Sequence, residues 1–368
     1  MNPSKILIAA GGTGGHLFPA QALAQDLLQK KEGIQILFAG AGLNTNRYFS
    51  KEKFAYEEVA SATLFRSKLH LFKSCALLFK GVVESFSIIN RFQPHLVIGF
   101  GSFHAFPLLV AALFKRIPIV LFESNSEPGK VNRLFSRWAL LSAVQFSEAK
   151  ERLSGTTIEV KMPIWEKIRQ KDGTIEEARA YFGLAPSEIT FLVFGGSQGS
   201  STINHVFCQV AAKLRAKQTS FQVIHLAGKH ENIQEARRFY ERLGIRACVK
   251  EFEDQMNLAW RAASLVICRS GAATLAEQIA FEVPGILIPY PFAADQHQKK
   301  NALFMEEQVR GSICILEENC TVEYLLKEVE RLTDRTDQLE IMRQNIRAFK
   351  ERQNKKDLYS VICNILET

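Results

Sequence analysis

The chain has 368 residues, 47% hydrophobic and 23% charged, which is enough apolar material for two ordinary domains and too much for a disordered or low-complexity protein. A formal charge of +8 favours an anionic partner: a nucleotide, a nucleic acid or an acidic lipid surface. Seven scattered cysteines, with no CxxC and no Cys/His cluster, argue against a disulfide scaffold and a zinc site and for reduced thiols.

Taken in order, the first half alternates short apolar runs with amphipathic helical stretches. The strand candidates are KILIAA, QILFAG, HLVIGFG, IPIVLFES and SAVQF; in the second half they are ITFLVFGG, FQVIHLAG, LVICRSG, GILIPYP and SICILEE. Continuous apolar runs are what parallel strands covered on both faces require, so the chain reads as α/β. LIAAGGTGGH and LVFGGSQGSS share one pattern half a chain apart, which predicts two similar doubly wound domains in tandem. The boundary falls where strand pattern gives way to proline, charge and glycine, in residues 160–174, and the stretch from Gln338 onward reads as polar helix without further strands. ILIAA is too short for a signal peptide, and Leu96–Phe114, broken by Gly99, Gly101, Ser102, His104 and Pro107, reads as strand, turn and helix rather than a membrane span.

Each strand end carries a motif with its own chemistry. In GGTGG the glycines permit positive φ and a close ligand, and the helix behind them offers free N–H groups to phosphate. The spacing is not GxGxxG and no acid ends the second strand, so a nicotinamide dinucleotide is disfavoured; a tight βα turn without a ligand is the plain alternative. His16 opens that helix, where the dipole favours a neutral imidazole able to take a proton, although a histidine there can simply cap or pack. In FESNSEPGKVN, Glu123 could act as base or orient one, and Asn125 could bond a hydroxyl or an amide; an ordinary turn is equally consistent. In CRSGAATLAEQ, small residues from Ala272 to Thr274 leave room for a diphosphate, and Glu277 could accept both ribose hydroxyls of a nucleotide or merely complement the dipole. Asp295, Gln296, Gln298 and Asn301 gather hydrogen-bonding groups past a strand end, as a sugar needs. There is no DxD and hence no expected metal site or cofactor; helix dipoles and loop N–H groups would meet the diphosphate instead. Residues 63–93 interleave Arg66, Lys68, Lys73 and Lys80 with Phe72 and Phe79, a pattern suited to an anionic membrane surface or to a helix with one solvated basic face. Without an aromatic sheet motif or a helix-turn-helix, nucleic acid is not expected.

GGTGGHLFPA, FESNSEPG, FGGSQGS, CRSGAATLAE and DQHQKKNA, in this order over essentially the whole chain, resemble the MurG family of peptidoglycan glycosyltransferases. The resemblance implies a GT-B fold, two Rossmann-like domains with an interdomain cleft: residues 1–165 for acceptor and membrane, 166–345 for the UDP-sugar, and 346–368 as a helix crossing back. It implies inverting transfer of N-acetylglucosamine from UDP-N-acetylglucosamine to the muramyl 4-hydroxyl of lipid I, giving lipid II. The location implied is peripheral, on the cytoplasmic face of the bacterial inner membrane, alongside other cell-wall synthesis proteins. By the same motifs, Thr13, Gly14 and Gly15 face the diphosphates, Asn125 and Gln298 the sugar, and Ser197 and Gln198 the phosphates or sugar. Arg269, Ala272, Thr274 and Glu277 hold uridine and ribose, and His16, with Glu123 as rival, activates the acceptor. A UDP-N-acetylglucosamine 2-epimerase-like isomerase and an inactive nucleotide-sugar-binding scaffold are the alternatives. The chain departs from the family at Trp165, where an arginine near the donor is expected, and at Phe122 and Ser124, where a histidine and a glutamine are usual.

Overall fold

Runs of isoleucine, leucine, valine and phenylalanine bury both faces of a strand only when helices cover both sides of a parallel sheet. In the computed structural model these runs do so twice; it describes residues 3–62, 68–165, 173–196, 199–228, 230–334, 336–353 and 355–367. One unit comprises Met1–Glu166 with Lys355–Thr368, the other Lys167–Asn354.

The first unit runs β1 (Ser4–Ala9), α1 (Gly14–Lys30), β2 (Ile34–Gly40), β3 (Tyr56–Glu58), α2 (Lys68–Phe92), β4 (Leu96–Gly99), α3 (Phe106–Phe114), β5 (Ile119–Glu123), α4 (Lys130–Phe135), β6 (Leu141–Val144) and β7 (Thr157–Lys161). The second runs α5 (Ile175–Tyr181), β8 (Ile189–Phe194), α6 (Ser201–Ala216), β9 (Phe221–Leu226), α7 (His230–Arg242), β10 (Ala247–Lys250), α8 (Met256–Ala262), β11 (Leu265–Cys268), α9 (Ala272–Phe281), β12 (Gly285–Leu287), α10 (His297–Leu303), β13 (Ser312–Cys314), α11 (Val322–Thr333) and α12 (Thr336–Arg352). The chain then re-enters the first unit as β14 (Lys356–Asp357) and α13 (Leu358–Glu367). Residues 346–352, grouped with the terminal helix in the sequence reading, therefore continue α12 of the second unit.

All described pairings are parallel, in the orders β14-β7-β6-β5-β4-β1-β2-β3 and β10-β9-β8-β11-β12-β13. Each expected strand is present. Four further strands, β3, β7, β10 and β14, carry no apolar run, and β14 corrects the expectation of an all-helical C-terminus. It adds two exposed residues to β7.

The strand orders position the chemistry. From β1 the first sheet grows one way through β2 and β3, then the other way from β4. From β8 the second grows through β9 and β10, then the other way from β11. At such a switch point the connections leave in opposite directions and open a crevice at the carboxyl ends of the two strands. The glycine loops follow β1 and β8, and the segments that face them follow β4 and β11.

Candidate active site

At the β1/β4 switch the glycine loop is shaped by the protein itself. Gly12 has φ +84°, and a side chain there would meet the His104 ring at 2.8 Å; one at Gly11 would meet His104 Cβ at 2.8 Å. A side chain at Gly14 would strike the Phe18 ring at 2.7 Å, whereas Gly15 is open and exposed. Clearance for a ligand is thus the reason for glycine at most at Gly15. Asn46 Nδ2 donates to the Gly12 carbonyl at 2.6 Å and fixes the loop from the β2–β3 side. Thr13 is the N-cap of α1, exposed, and its hydroxyl makes no capping bond.

His16 Nδ1 lies 2.8 Å from the Phe100 carbonyl. A carbonyl only accepts, so Nδ1 carries the proton and the lone pair is on Nε2, the tautomer a general base needs. Gly101, at φ +80°, lies between this ring and Asn132: a side chain there would meet Asn132 Nδ2 at 3.2 Å and His16 Cε1 at 3.6 Å. Asn132 Nδ2 in turn donates to Glu123 Oε2 at 2.9 Å. The rest of the Glu123 carboxylate is taken by the Gly129 N–H at 3.0 Å and by the Asn125 backbone and side-chain N–H groups at 2.9 and 3.2 Å. Burial pushes this carboxyl above the usual range, and these four donors pull it back. Both oxygens are thus engaged in holding the Ser124–Gly129 loop, Asn125 included. Trp165 packs 6.5 Å from the Phe54 ring, beneath Lys53 Nζ at 5.4 Å, within the first unit.

At the β8/β11 switch, Ser197 and Gln198 lie outside the described residues. Ser200 caps α6 and its Oγ accepts from Arg269 Nη2 at 2.8 Å. Arg269 also donates to the Ile288 and Pro289 carbonyls at 3.2 and 3.1 Å, pairs with Glu317, and stacks its guanidinium over Tyr290. It is buried and ties three segments together. Ser270 Oγ donates to the Gln298 carbonyl at 2.7 Å and Asn301 Nδ2 to the Ser270 carbonyl at 3.2 Å, joining the start of α9 to α10. Gln298 Oε1 accepts from the Tyr290 N–H at 3.0 Å, which turns its amide nitrogen away from that bond. Ala272 and Thr274 lie in the first turn of α9, beneath an open Gly271. Glu277, one turn further, is half-buried and accepts from Trp260 Nε1 at 2.7 Å. Burial raises its pKa to about 7, against the pull of that indole. Glu253 is buried and saturated by Lys250 Nζ at 2.6 Å and the Gln255 N–H at 2.7 Å.

On α2, Phe72 and Phe79 are 77% and 71% exposed. Lys73 and Lys80 are exposed beside them, with Glu84 3.6 Å from Lys80. Phe114, at the end of α3, is 74% exposed. Arg66 and the Lys68 side chain lie outside the described residues. No described helix is long and apolar enough to cross a membrane.

The residues are thus brought together in two groups, one per unit. Glu123 joins Asn125 to Asn132, with His16 across Gly101 from Asn132, and Arg269 and Gln298 are linked through Tyr290. Sequence reasoning missed Asn132, which lies inside a quoted motif, and His104. The signal for His104 was a second glycine pair, Gly99 and Gly101, at the end of an apolar strand; its importance depended on β4 lying beside β1.

Residues 6–143 match the glycosyltransferase family 28 N-terminal domain, and residues 190–358 the family 28 C-terminal domain. The chain is 43% identical, over 99% of its length and 96% of the relative's, to a protein of Protochlamydia amoebophila (strain UWE25). That relative is named UDP-N-acetylglucosamine–N-acetylmuramyl-(pentapeptide) pyrophosphoryl-undecaprenol N-acetylglucosamine transferase. A Chlamydia felis protein of the same name is 34% identical over 99% of both chains. Among solved structures, MurG of Acinetobacter baumannii superposes with a TM-score of 0.75 at 22% identity over 99% of both chains. A UDP-glucose:anthocyanidin 3-O-glucosyltransferase in complex with UDP gives 0.68 at 14% identity over 95% of this chain and 94% of that one.

Proposed function

Because the chain belongs to the UDP-N-acetylglucosamine–N-acetylmuramyl-(pentapeptide) pyrophosphoryl-undecaprenol N-acetylglucosamine transferases, within glycosyltransferase family 28, we propose that it transfers N-acetylglucosamine from UDP-N-acetylglucosamine to lipid I and forms lipid II. One observation supports the reading most directly: both switch points carry a glycine loop opening a helix, and beside one of them His16 holds a proton on Nδ1 and a lone pair on Nε2.

In this reading the second unit binds the donor. Glu277 accepts the ribose hydroxyls, Ala272 and Thr274 border the diphosphate at the α9 N-terminus, and Gln298 meets the sugar. Arg269 keeps these loops in register, and Ser197 and Gln198 meet the phosphates or sugar. As UDP departs, its charge is met by N–H groups that need no reorganisation. The first unit presents the acceptor: Thr13, Gly14 and Gly15 border a diphosphate, and Asn125, held by Glu123, reaches the donor sugar. His16 Nε2 removes the proton of the muramyl 4-hydroxyl as that oxygen attacks the anomeric carbon opposite UDP, which inverts the centre. The exposed Phe72, Lys73, Phe79 and Lys80 seat the enzyme on an anionic bilayer, with about 1 kcal/mol from each basic residue near the surface, so that a lipid-linked acceptor is within reach. Other cell-wall synthesis proteins are natural neighbours on that surface.

The test is UDP release from the purified protein with and without a lipid I analogue. Release that depends on the analogue, with a β-linked disaccharide product, is expected. Release or isomerisation without acceptor means an epimerase-like enzyme, and donor binding without turnover means a scaffold.

A further inference from the structure

Several costs converge on the loop that leaves β4. Ser102 sits at φ +69°, a left-handed conformation that serine holds only where its surroundings impose it. His104 Nδ1 is buried with no hydrogen-bond partner among the described residues, a condition that is destabilising unless something meets it. Asn132, fully buried beside the same loop, leaves Oδ1 in the same condition. Burial, and then the neighbouring His16, hold the His104 pKa below the ordinary 6.5. Packing alone does not explain an imidazole here. Against Gly11 and Gly12, which the ring touches closely, a phenylalanine would fill the space with no unpaired nitrogen.

We propose that His104 is a substrate ligand, whose imidazolium donates a hydrogen bond to a phosphate oxygen of the diphosphate received at the first glycine loop. The assignment of a diphosphate to that loop rests on the glycosyl-transfer reading. Among the described residues, the groups facing His104 are the His16 imidazole from α1, the glycine backbone of the β1–α1 loop, and the Ser102 hydroxyl of its own loop, which lies 3.4 Å from the His104 backbone nitrogen. None of these is an anion. A diphosphate supplies the missing negative charge, so His104 takes a proton from solvent as the ligand arrives. The two histidines then divide the work. His16, its Nδ1–H held by the Phe100 carbonyl, presents Nε2 to the proton that is removed, and His104 carries the charge that binds.

The first experiment is calorimetric titration of the full-length protein with inorganic pyrophosphate near pH 7, in two buffers of different ionisation enthalpy. The expected result is net proton uptake by the wild type and none by His104→Asn, with affinity lowered roughly 10- to 100-fold, the range of one charge-assisted bond. His104→Phe, which preserves the packing, should lose the same affinity without losing thermal stability. Steady-state kinetics then separate the source of the diphosphate. A rise in KM for a lipid I analogue assigns the acceptor, and a rise in KM for UDP-N-acetylglucosamine assigns the donor. Absence of pyrophosphate binding by the wild type, or equal affinity and proton uptake in His104→Asn, overturns the proposal. Proton-coupled pyrophosphate binding by a wild type that transfers no sugar would leave His104 a phosphate ligand and refute the transferase reading instead.

Discussion

Glu277 places binding and stability in opposition, and Glu277→Gln separates them. Its pKa is raised from the usual 4.5 to about 7, so the folded state binds a proton that the unfolded chain has released over this interval. The ionised carboxylate therefore costs nothing well below pH 4.5, costs more as the pH rises, and costs its full amount above about pH 7. A shift of this size corresponds to about 3 kcal/mol, which partial exposure reduces to about 2 kcal/mol. Glutamine keeps an oxygen for the Trp260 indole N–H and removes the charge. The variant should be more stable than wild type at pH 8 by about 2 kcal/mol, roughly 4–8 °C in the melting of the second unit, with the gain nearly gone at pH 4.5. It should also bind UDP-N-acetylglucosamine about 10- to 100-fold more weakly at pH 8, having lost a charged acceptor for the ribose hydroxyls. Wild-type donor affinity should fall toward that of the variant as pH drops below about 7. Urea unfolding at both pH values and direct titration with UDP measure the two effects. Equal stability at pH 8, or a gain of the same size at pH 4.5, would refute the reasoning.

His16→Ala should lower kcat about 10²- to 10⁴-fold with the KM for UDP-N-acetylglucosamine unchanged, and normal turnover would exclude His16 as the base. Glu123→Gln turns an NH₂ group toward donors that now meet a carboxylate, so it should destabilise the first unit by about 1–3 kcal/mol and raise the acceptor KM. Loss of kcat at unchanged stability would instead make Glu123 the base. Replacing Phe72 and Phe79 by serine and Lys73 and Lys80 by glutamate should abolish sedimentation with anionic vesicles at unchanged melting temperature. The two lysines alone are worth about 2 kcal/mol, roughly thirtyfold, and undiminished vesicle binding would remove α2 from the membrane reading.

What the sequence discloses follows physical lines. Strands such as β4 and β11, buried at every position, announce themselves by composition. β3, β10 and β14 are edge strands whose side chains, Val249 apart, are partly or fully exposed, and no pattern distinguishes them from loop. The glycine loops are legible, but the reason for them is not: Gly11 and Gly12 are glycine because a histidine some ninety residues later lies against them. Arg269 illustrates the converse. An arginine beside a diphosphate motif suggests a ligand, yet its guanidinium faces two carbonyls, a serine and a glutamate, partners spread from Ser200 to Glu317 that only the folded chain assembles. Glu123 likewise is a carboxylate in a promising loop until its four N–H donors are seen.

The return of the last residues to the first unit has a consequence for how the protein is made. The second unit is one continuous piece, Lys167–Asn354, and can fold as soon as it leaves the ribosome. The first must wait until the segment from Lys355 has emerged: β14 then covers the open edge of β7, Lys355 Nζ reaches the Gln145 carbonyl at 2.6 Å, and the Tyr359 hydroxyl donates to the Lys30 carbonyl at 3.3 Å. During synthesis, then, the portion made first is the one completed last, with an unpaired strand edge exposed to other chains in the interval. A stop codon after residue 354 would leave the later-made unit intact and the earlier-made one permanently unfinished.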